Sequence, residues 1–420
     1  MFFLRKIKRY KEILAWSFYD FANQPFTTII VTFIYSYFFA KVIVLDDPDL
    51  GTLLWTQAIS ITAIIVAFLS PILGSLADKG GYRKMFFMFF TYLCVIFTGF
   101  LYFPEQGDVY LSLTLFIIAN MSFEFGSVFC NSYLSDISKK KYIGRISGFA
   151  WGLGFLGGLI SLYFCFQLFD LEDHEHIRQI NILVAVWLFI FSIPTFLYVK
   201  DRKKKKFNKE IVKDSFNSLL STFREISKYK IIFRFLIARL FFNDALITIF
   251  SLGGIYAGIT LNFTASEVLL LAIVLNISAV IGSFLFGYLE DIIGVKKVIQ
   301  FSLIVLIFAT LLAYFAAYFD PNETNLPKQM FWVAGVLIGL MVGPNQSSSR
   351  SLMSRLTPKE KQNEFFGFFA FAGKATSFLG PFLFGLVTFH YKSQQLALWV
   401  VIVLFLIGLF LFNNIDFEEE

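Results

Sequence analysis

The sequence predicts an all-α integral membrane protein in which twelve transmembrane helices form two pseudo-symmetric six-helix bundles. Composition and a duplicated turn support this fold class. Of the 420 residues, 57% are hydrophobic and only 16% are charged, whereas soluble proteins average about 25% charged residues. The turn Gly74-Ser-Leu-Ala-Asp78-Lys-Gly-Gly-Tyr-Arg83 recurs in degraded form as Gly287-Tyr-Leu-Glu-Asp291-Ile-Ile-Gly-Val-Lys-Lys. Internal repetition of this kind is typical of membrane proteins built from two related bundles.

Apolar runs long enough to cross about 30 Å of hydrocarbon occupy nearly the whole chain. We number them span 1 to span 12. They are expected at 13–44, 52–77, 84–103, 109–134, 144–169, 178–199, 231–260, 266–289, 297–319, 328–354, 363–391 and 395–415. Span 1 is too long for a cleavable signal peptide and lacks a small-residue cleavage site, so we expect it to remain in the protein.

A polar linker near the midpoint separates two halves of the chain. We expect an N-terminal six-helix bundle at 1–200, a cytoplasmic linker at 201–229 and a C-terminal six-helix bundle at 230–420. Apolar residues recur in the linker at a spacing of four and three, which predicts an amphipathic helix. They are Val212, Phe216, Leu219, Phe223 and Ile226. Such a helix would lie on the inner leaflet with its lysines toward anionic lipid, or would simply join the bundles.

The net charge of +6 does not indicate a nucleic-acid partner, because the positive charges alternate from loop to loop. Basic residues gather at the N-terminus and in the turns that share its side of the membrane. The opposite loops hold only Lys41, Arg178, Lys328 and Lys392 among basic residues, and acidic ones including Asp46, Asp47, Asp49, Asp170, Glu172 and Asp173. This distribution follows the positive-inside rule, so we expect both termini in the cytoplasm.

The duplicated turn predicts a gating latch made of Gly74, Asp78, Arg83, Gly287 and Asp291. Its glycines allow close approach of helices. Asp78 ends a helix, where it can accept hydrogen bonds from the N-terminus of a neighbouring helix, or pair with Arg83 or with another base. Such a contact would hold the bundles together on the cytoplasmic side. A simple basic anchor on the inner side of the membrane is the alternative.

Ionisable residues inside the membrane are costly and usually face a cavity or a partner. They are Asp20 in span 1, Glu124 in span 4, Arg239 and Asp244 in span 7, and Lys374 in span 11. Spans 3, 6, 9 and 12 contain none, so we expect those four at the periphery and spans 1, 4, 7 and 10 around a cavity between the halves.

Each of these residues admits more than one role. Lys374 lies roughly 16 Å into its span at 1.5 Å per residue; it would bind a substrate carboxylate or neutralise a buried carboxylate. A buried carboxylate such as Glu124 suits proton carriage. The predicted substrate-binding or proton-coupling set adds uncharged polar side chains on the cavity spans. It comprises Asp20, Asn23, Gln24, Glu124, Asn131, Asp244, Asn345 and Lys374.

Three segments resemble the vacuole-effluxer-like family of the major facilitator superfamily. They are Asp20-Phe-Ala-Asn23-Gln-Pro in span 1, Gly343-Pro-Asn-Gln-Ser-Ser-Ser-Arg350 in span 10, and Glu364-Phe-Phe-Gly367 through Gly380-Pro381 in span 11. Gly144-Arg145-Ile-Ser-Gly148 also fits. The resemblance covers essentially the whole chain and implies the major facilitator fold. For the fungal autophagy-related members it implies export of amino acids from the vacuole.

We therefore expect an alternating-access transporter of a small polar solute, an amino acid, with coupling to H+ as one option. An efflux pump for amphipathic organic cations, a lipid scramblase and a non-transporting membrane sensor are the alternatives. We expect no enzyme, since no HExxH or GxGD motif occurs within a helix. We expect no cofactor and no metal, and place Asp173-His174-Glu175-His176 in a solvated loop. The predicted state is a monomer in contact with membrane lipids, in a bacterial inner membrane.

Overall fold

The computed structural model of the chain describes residues 9–45, 48–170, 173–200, 209–224, 226–320 and 324–416. Within them lie twelve helices long and apolar enough to cross a membrane, which confirms the predicted fold class. In the order of spans 1 to 12 they are Tyr10–Ile43, Pro48–Gly80, Arg83–Phe100, Val109–Asn131, Ile143–Leu168, His174–Tyr198, Lys230–Thr260, Ala265–Ile293, Val295–Ala316, Leu326–Leu356, Gln362–Lys374 with Leu379–Tyr391, and Gln394–Asn413.

Two spans depart from a regular α-helix. Span 1 is α-helical over Tyr10–Pro25 and π-helical over Phe26–Phe33. The wider turns begin directly after Pro25, whose missing N–H breaks the regular hydrogen-bond pattern. Span 11 is not the continuous helix that the apolar run predicts. It consists of two half-helices, Gln362–Lys374 and Leu379–Tyr391, and we call residues 375–378 between them the span 11 break.

In the described part of the linker, Lys209–Arg224 forms an α-helix, which we call the linker helix, and Ile226–Tyr229 forms a short 3-10 helix. Within the predicted apolar face, Leu219 is buried whereas Val212 and Phe216 are exposed. Several predicted features lie outside the described residues or side chains. They are the linker's basic residues Arg202 and Lys203–Lys206, the charges of Arg5, Lys6, Lys8, Asp46, Asp47, Asp49 and Glu172, and the linker side chains of Phe223 and Ile226.

The contacts divide the chain into two compact units. Unit 1 contains the chain up to Lys139 together with Leu153–Ser221 and Pro358–Phe371. It therefore includes the beginning of span 11, which belongs to the second half of the sequence. Spans 1 and 6, 2 and 4, 3 and 4, and 3 and 6 pack together in this unit. The core contains large aromatic side chains, such as Trp55 stacked on Phe116 with ring centroids 3.9 Å apart.

Unit 2 contains Lys140–Gly152, Thr222–Thr357 and the chain from Ala372 onward. It includes the beginning of span 5, which belongs to the first half of the sequence. Spans 7 and 12, 8 and 10, 9 and 10, and 9 and 12 pack together. These are the counterparts of the four pairs in unit 1, shifted by six spans. The two units therefore repeat one packing scheme, as the predicted pseudo-symmetry requires.

The four spans that we expect at the periphery expose phenylalanines. Phe89 in span 3, Phe189 in span 6, Phe308 in span 9 and Phe410 in span 12 are between 45% and 68% exposed. A soluble protein would bury such side chains, whereas a membrane protein can present them to lipid. Each of these four spans therefore has a surface suited to contact with the bilayer.

Candidate functional site

The carboxylate of Asp78, near the end of span 2, lies at the N-terminus of span 11 within unit 1. It accepts hydrogen bonds from the backbone N–H of Glu364 (2.9 Å) and from Asn363 Nδ2 (2.7 Å). Asn363 Oδ1 in turn accepts from Ser132 Oγ (2.6 Å). The first N–H groups of a helix lack partners inside the helix, so an acidic side chain placed there stabilises the helix start. We call this contact cap 1.

Arg83, which the sequence offers as one partner of Asp78, forms its ion pair with Asp136 at 2.5 Å. Its guanidinium also donates to the carbonyl oxygen of Ser132 (3.1 Å) and lies over the ring of Tyr133, with Cζ 3.7 Å from the ring centroid. Arg83 is 3% exposed. It thus ties the start of span 3 to the end of span 4, beside cap 1.

Asp291, the counterpart of Asp78, makes the equivalent contact within unit 2, where it lies at the N-terminus of span 5. It accepts from the backbone N–H groups of Gly144 (3.0 Å) and Arg145 (3.2 Å), and it pairs with Arg145 Nε. We call this contact cap 2. The neighbouring Glu290 is 1% exposed and accepts from Ser348 and Ser351. Arg355 Nη2 lies 3.3 Å from Glu290 and 3.5 Å from Asp291.

Glycines explain how the helices approach closely enough to form both caps. A Cβ atom on Gly74 would lie 2.2 Å from the carbonyl oxygen of Asn363, and one on Gly287 would lie 2.8 Å from Gly148 Cα. A second glycine on each capped helix, one turn further along, also approaches the backbone of the facing helix. A Cβ on Gly367 would meet the carbonyl oxygen of Ser70 at 2.5 Å, and one on Gly148 would meet that of Ser283 at 2.4 Å. The repeat therefore extends to individual backbone contacts.

The side chains of span 7 contact both sides of the span 11 break within unit 2. Asn243 Nδ2 donates to the carbonyl oxygen of Gly373 (3.1 Å), and its Oδ1 accepts from Gln346 Nε2 (3.2 Å). Asp244 is 2% exposed and lies beside the second half-helix, where a Cβ added to Gly380 would be 3.0 Å from the Asp244 carbonyl oxygen and where Thr376 and the backbone N–H of Gly380 lie near its carboxylate. Two adjacent residues of one helix therefore hold the two half-helices of another.

Opposite charges lie at the two ends that the break creates. The guanidinium of Arg239 lies against Gly373, where an added Cβ would be 2.9 Å from Nη1, at the C-terminal end of the first half-helix. Asp244 lies at the N-terminal end of the second. A cation near a helix C-terminus and an anion near an N-terminus both interact favourably with the helix dipole. Asp244 Oδ1 is buried and has no hydrogen-bond partner among the described residues.

The other predicted site residues of unit 2 fall in different surroundings. Lys374 is the last residue of the first half-helix and is half-buried, so it lies at the break. Asn345 is completely buried, and its Nδ2 donates to Ser302 Oγ in span 9 at 3.0 Å. Asn345 therefore joins two packed helices, whereas its neighbour Gln346 contacts Asn243 beside the break.

The predicted site residues of unit 1 lie on spans 1 and 4. Asp20 and Gln24 face the glycines of span 5, since an added Cβ on Gly154 would lie 3.4 Å from Asp20 Cβ and one on Gly158 would lie 3.2 Å from Gln24 Cγ. Asn23, 8% exposed, lies in the last turn of the α-helical part of span 1, before the π-helical part that begins at Phe26. On span 4, Glu124 is half-buried in mid-helix, and Asn131 is the last residue.

The functional contacts that sequence analysis missed are mostly the partners of the predicted residues. Neither Asn363 and Glu364 at cap 1 nor Glu290 and Arg355 at cap 2 stand out by residue type or spacing. A signal did exist, because aligning Gly148 with Gly367 places Gly144 opposite Asn363 and Arg145 opposite Glu364. These aligned pairs are the donors to Asp78 and Asp291.

Metal-ligating residues do not cluster in the described part of the chain. No group of three or more His, Cys, Asp or Glu side chains there could hold a metal ion. Of the segment 173–176 that we expected in a solvated loop, only Asp173 precedes span 6, and His174–His176 form the first turn of that helix. His176 there accepts a hydrogen bond from the backbone N–H of Asp170 (3.1 Å).

The chain has twelve spans in a repeated packing scheme, and selected helices carry charged residues. This architecture is that of a membrane transporter of the major facilitator superfamily, and the sequence profile of that superfamily matches residues 3–162. The chain belongs to the family described as vacuole effluxer Atg22 like, whose profile matches residues 135–420. This membership confirms the family resemblance and the expectation that the chain is a transporter and not an enzyme.

Individual relatives agree. The uncharacterized MFS-type transporter YxiO of Bacillus subtilis (strain 168) is 29% identical, with 96% of this chain and 94% of the relative aligned. Autophagy-related protein 22 of Kluyveromyces lactis is 23% identical, with 97% and 94% aligned. Among solved structures, the proton:xylose symporter XylE superposes with a TM-score of 0.74 at 14% identity, covering 97% of this chain and 96% of that one. A bacterial homologue of the iron transporter ferroportin gives 0.72 at 10% identity, covering 97% and 99%. At these identities the two structures support the fold alone.

Proposed function

We propose that the chain is an alternating-access carrier of a small zwitterion, an amino acid, in a bacterial plasma membrane with its basic turns and termini on the cytoplasmic side. The observation that carries the solute class is the span 11 break, where Arg239, Asp244 and Lys374 bring both signs of charge to one interrupted helix. Transporters commonly bind solutes at interrupted helices near mid-membrane, because the freed backbone groups and half-helix dipoles supply ligands.

An amino acid presents one carboxylate and one ammonium group, and the break offers a partner for each. Lys374 is assigned to the carboxylate, while Arg239 stays against the end of the first half-helix. Asn243 and Gln346 provide amide groups beside the break. We assign Asn345, which the sequence analysis included, to helix packing, since its amide is bonded to Ser302. Asp20, Asn23, Gln24, Glu124 and Asn131 remain candidates on spans 1 and 4.

Asp244 is our candidate for proton coupling. Its carboxylate is buried, one oxygen has no hydrogen-bond partner among the described residues, and the other contacts come from the break itself. A buried charge without a counter-ion is costly, so binding a proton or the solute ammonium there is favoured. A change of charge at Asp244 would act directly on the geometry of span 11.

Caps 1 and 2 are assigned the role of gating latches. Asp78 and Asp291 each bind the start of a helix from the opposite half of the sequence. A carrier of this architecture exposes its solute site to the two sides in turn through movement of one half against the other. Such movement must break the contacts between helices of opposite halves, so the caps oppose it until solute or proton binding favours the change.

The test uses purified protein in proteoliposomes on a solid-supported membrane, with a panel of amino acids applied with and without a pH gradient. The expected result is a solute-evoked current in the wild-type protein. For Lys374→Ala, loss of a hydrogen bond to a charged group, about 1.5–3 kcal/mol, weakens apparent affinity about 10- to 150-fold. Lys392→Ala, which removes a lysine at the far end of span 11, is the matched control and should leave the current unchanged.

Asp244→Asn separates coupling from binding. We expect it to abolish accumulation driven by a pH gradient, while exchange of labelled solute across the membrane continues with a weaker apparent affinity, because the asparagine keeps a polar acceptor for the solute ammonium. An electroneutral carrier would show no current, so the labelled-exchange assay is run in parallel. Absence of both current and exchange for every amino acid, from folded protein, would contradict the proposed solute class. Transport of an organic cation by the same protein would replace it.

A further inference from the structure

The linker helix has three distinct sides, which hydrophobic periodicity alone does not separate. One side is buried against unit 1 and is built from Ile211, Ser215, Ser218 and Leu219, each 7% exposed or less. A second side is an apolar stripe whose members remain uncovered. Val212 is 47%, Phe216 57% and Leu220 42% exposed. The third side is polar and includes Lys213, Asn217 and Arg224, all exposed.

The buried side of the linker helix reaches cap 1. Ser75 Oγ in span 2 donates to the carbonyl oxygen of Ser215 (2.9 Å). Ser218 Oγ donates to Glu364 Oε2 (3.0 Å). Glu364 is the residue whose backbone N–H donates to Asp78. The linker helix therefore holds, through its serines, both helices that cap 1 joins.

The uncovered stripe needs an occupant, and the connections of the helix identify it. The linker helix is joined to span 6, which ends at Tyr198, and to span 7, which begins at Lys230, by short segments at 199–208 and 225–229. It must therefore lie close to the membrane surface. Lys213 and Arg224 border the stripe, and Arg202 and Lys203–Lys206 precede the helix in the sequence. Apolar side chains flanked by basic ones fit the interfacial zone of an anionic leaflet.

We propose that the linker helix is a lipid-responsive clamp on cap 1, with its apolar stripe inserted among anionic phospholipids and its serine side holding Ser75 and Glu364. Anionic lipid stabilises the seated helix, and the seated helix stabilises the bond between Glu364 and Asp78. Without anionic lipid the linker helix separates more often from Ser75 and Glu364, so the bond between Glu364 and Asp78 in cap 1 opens more often. The effect on transport rate rests on the proposed function, whereas the effect on cap 1 does not.

Insertion of the stripe is tested by fluorescence. An environment-sensitive label is placed at Phe216→Cys in the full chain, reconstituted into nanodiscs of phosphatidylcholine with or without phosphatidylglycerol. We expect a blue shift with phosphatidylglycerol and quenching by brominated lipid. The matched control carries the label at Asn217→Cys on the polar side, where neither change should occur. Equal water exposure of the two labels in phosphatidylglycerol would overturn the proposal.

The link to cap 1 is tested by hydrogen exchange at the start of span 11, which requires no transport. Phosphatidylglycerol should slow exchange at Glu364 at least about fivefold in the wild type, which is the effect of one basic residue near an anionic surface. Phe216→Ser and Ser218→Ala should remove this lipid effect. Ser221→Ala is the control, because Ser221 bonds to the carbonyl oxygen of Ser218 on the linker helix itself. A lipid effect that survives in Ser218→Ala, or is absent in the wild type, refutes the clamp even if amino-acid transport is found.

Discussion

Replacing Asp78 with alanine removes the acceptor at the centre of cap 1. Two donors lose their partner: the backbone N–H of Glu364 and the side-chain amide of Asn363. Both residues are nearly fully buried, at 1% and 2% exposure, so water does not readily replace the carboxylate. Asn363 cannot compensate by turning its amide, because its Oδ1 already accepts from Ser132.

The size of the effect follows from these two losses. Removing a side-chain cap from a helix start costs about 1 kcal/mol. Leaving a buried amide donor without a partner costs about 1–3 kcal/mol. Because the alanine leaves space in which the amide can shift, we expect a total near the lower limit, about 2 kcal/mol, which is roughly a 30-fold change in the opening equilibrium of the contact.

Hydrogen exchange with mass spectrometry measures that equilibrium directly. Amides at the start of span 11, around Glu364, should exchange about 30-fold faster in Asp78→Ala. The control is Asp108→Ala in the same unit, where an exposed aspartate accepts from the backbone N–H of Glu105 (3.0 Å). It should change exchange only near its own loop. Unchanged exchange at Glu364 in Asp78→Ala would refute the assignment of Asp78 as the cap of span 11.

Three further variants test cap 2, the glycine contacts and an exposed ion pair. Asp291→Ala removes a fully buried carboxylate that accepts two backbone N–H groups and pairs with Arg145, whereas Arg355 keeps Glu290. We expect a cost of about 3–5 kcal/mol, measured as a larger acceleration of exchange at the start of span 5 than Asp78→Ala causes at the start of span 11. Gly287→Ala should lower the unfolding temperature through overpacking of about 1–3 kcal/mol, while Gly385→Ala, where nothing lies within 4 Å of the added Cβ, should not lower it. Glu267 lies in the first turn of the span 8 helix, outside the apolar segment Leu270–Ile293, and its hydrogen-bonded ion pair with Lys328 holds its pKa below the ordinary value of 4.5. Wild type should therefore be more stable than Glu267→Gln above pH 4.5 and lose that advantage as the pH falls below it, whereas a constant difference would contradict the pair.

Hydrophobic length predicts the twelve spans well because the bilayer imposes one minimum length on every apolar run. The span 11 break could not be predicted in this way, since residues 375–378 lie inside a single apolar run. Residue type does mark the position, because Pro381 has no N–H to donate to the carbonyl oxygen of Ser377 and its ring crowds that oxygen. The tertiary contacts of Asn243 and Asp244 with the two half-helices have no such local signal.

The linker helix shows a different limit of sequence analysis. Periodicity correctly indicates a helix, but it scores only apolar side chains. The side that packs on unit 1 is formed largely by serines, and Ser218 is placed there by its hydrogen bond to Glu364. Hydrophobic spacing therefore assigns Val212, Phe216 and Leu219 to one face, although only Leu219 is buried.

A comparison of the two caps shows which contacts the two copies of the duplicated turn share and which differ. Cap 1 combines two acidic residues, Asp78 and Glu364, with Lys361 Nζ 3.8 Å from the glutamate. Cap 2 combines Glu290 and Asp291 with two arginines. The charges around the two aspartates thus differ, while both aspartates accept backbone N–H groups from the start of a helix.

The shared backbone contact makes a prediction about cap 2. If the N–H groups of Gly144 and residue 145 form the essential part, Arg145→Ala retains them and should cost only about 1 kcal/mol, because the arginine side chain is 16% exposed and partly screened. Asp291→Ala removes the acceptor itself and should cost several times more. Exchange rates at the start of span 5 in the two variants decide the matter. Equal acceleration would show that the ion pair, and not the helix cap, holds this contact.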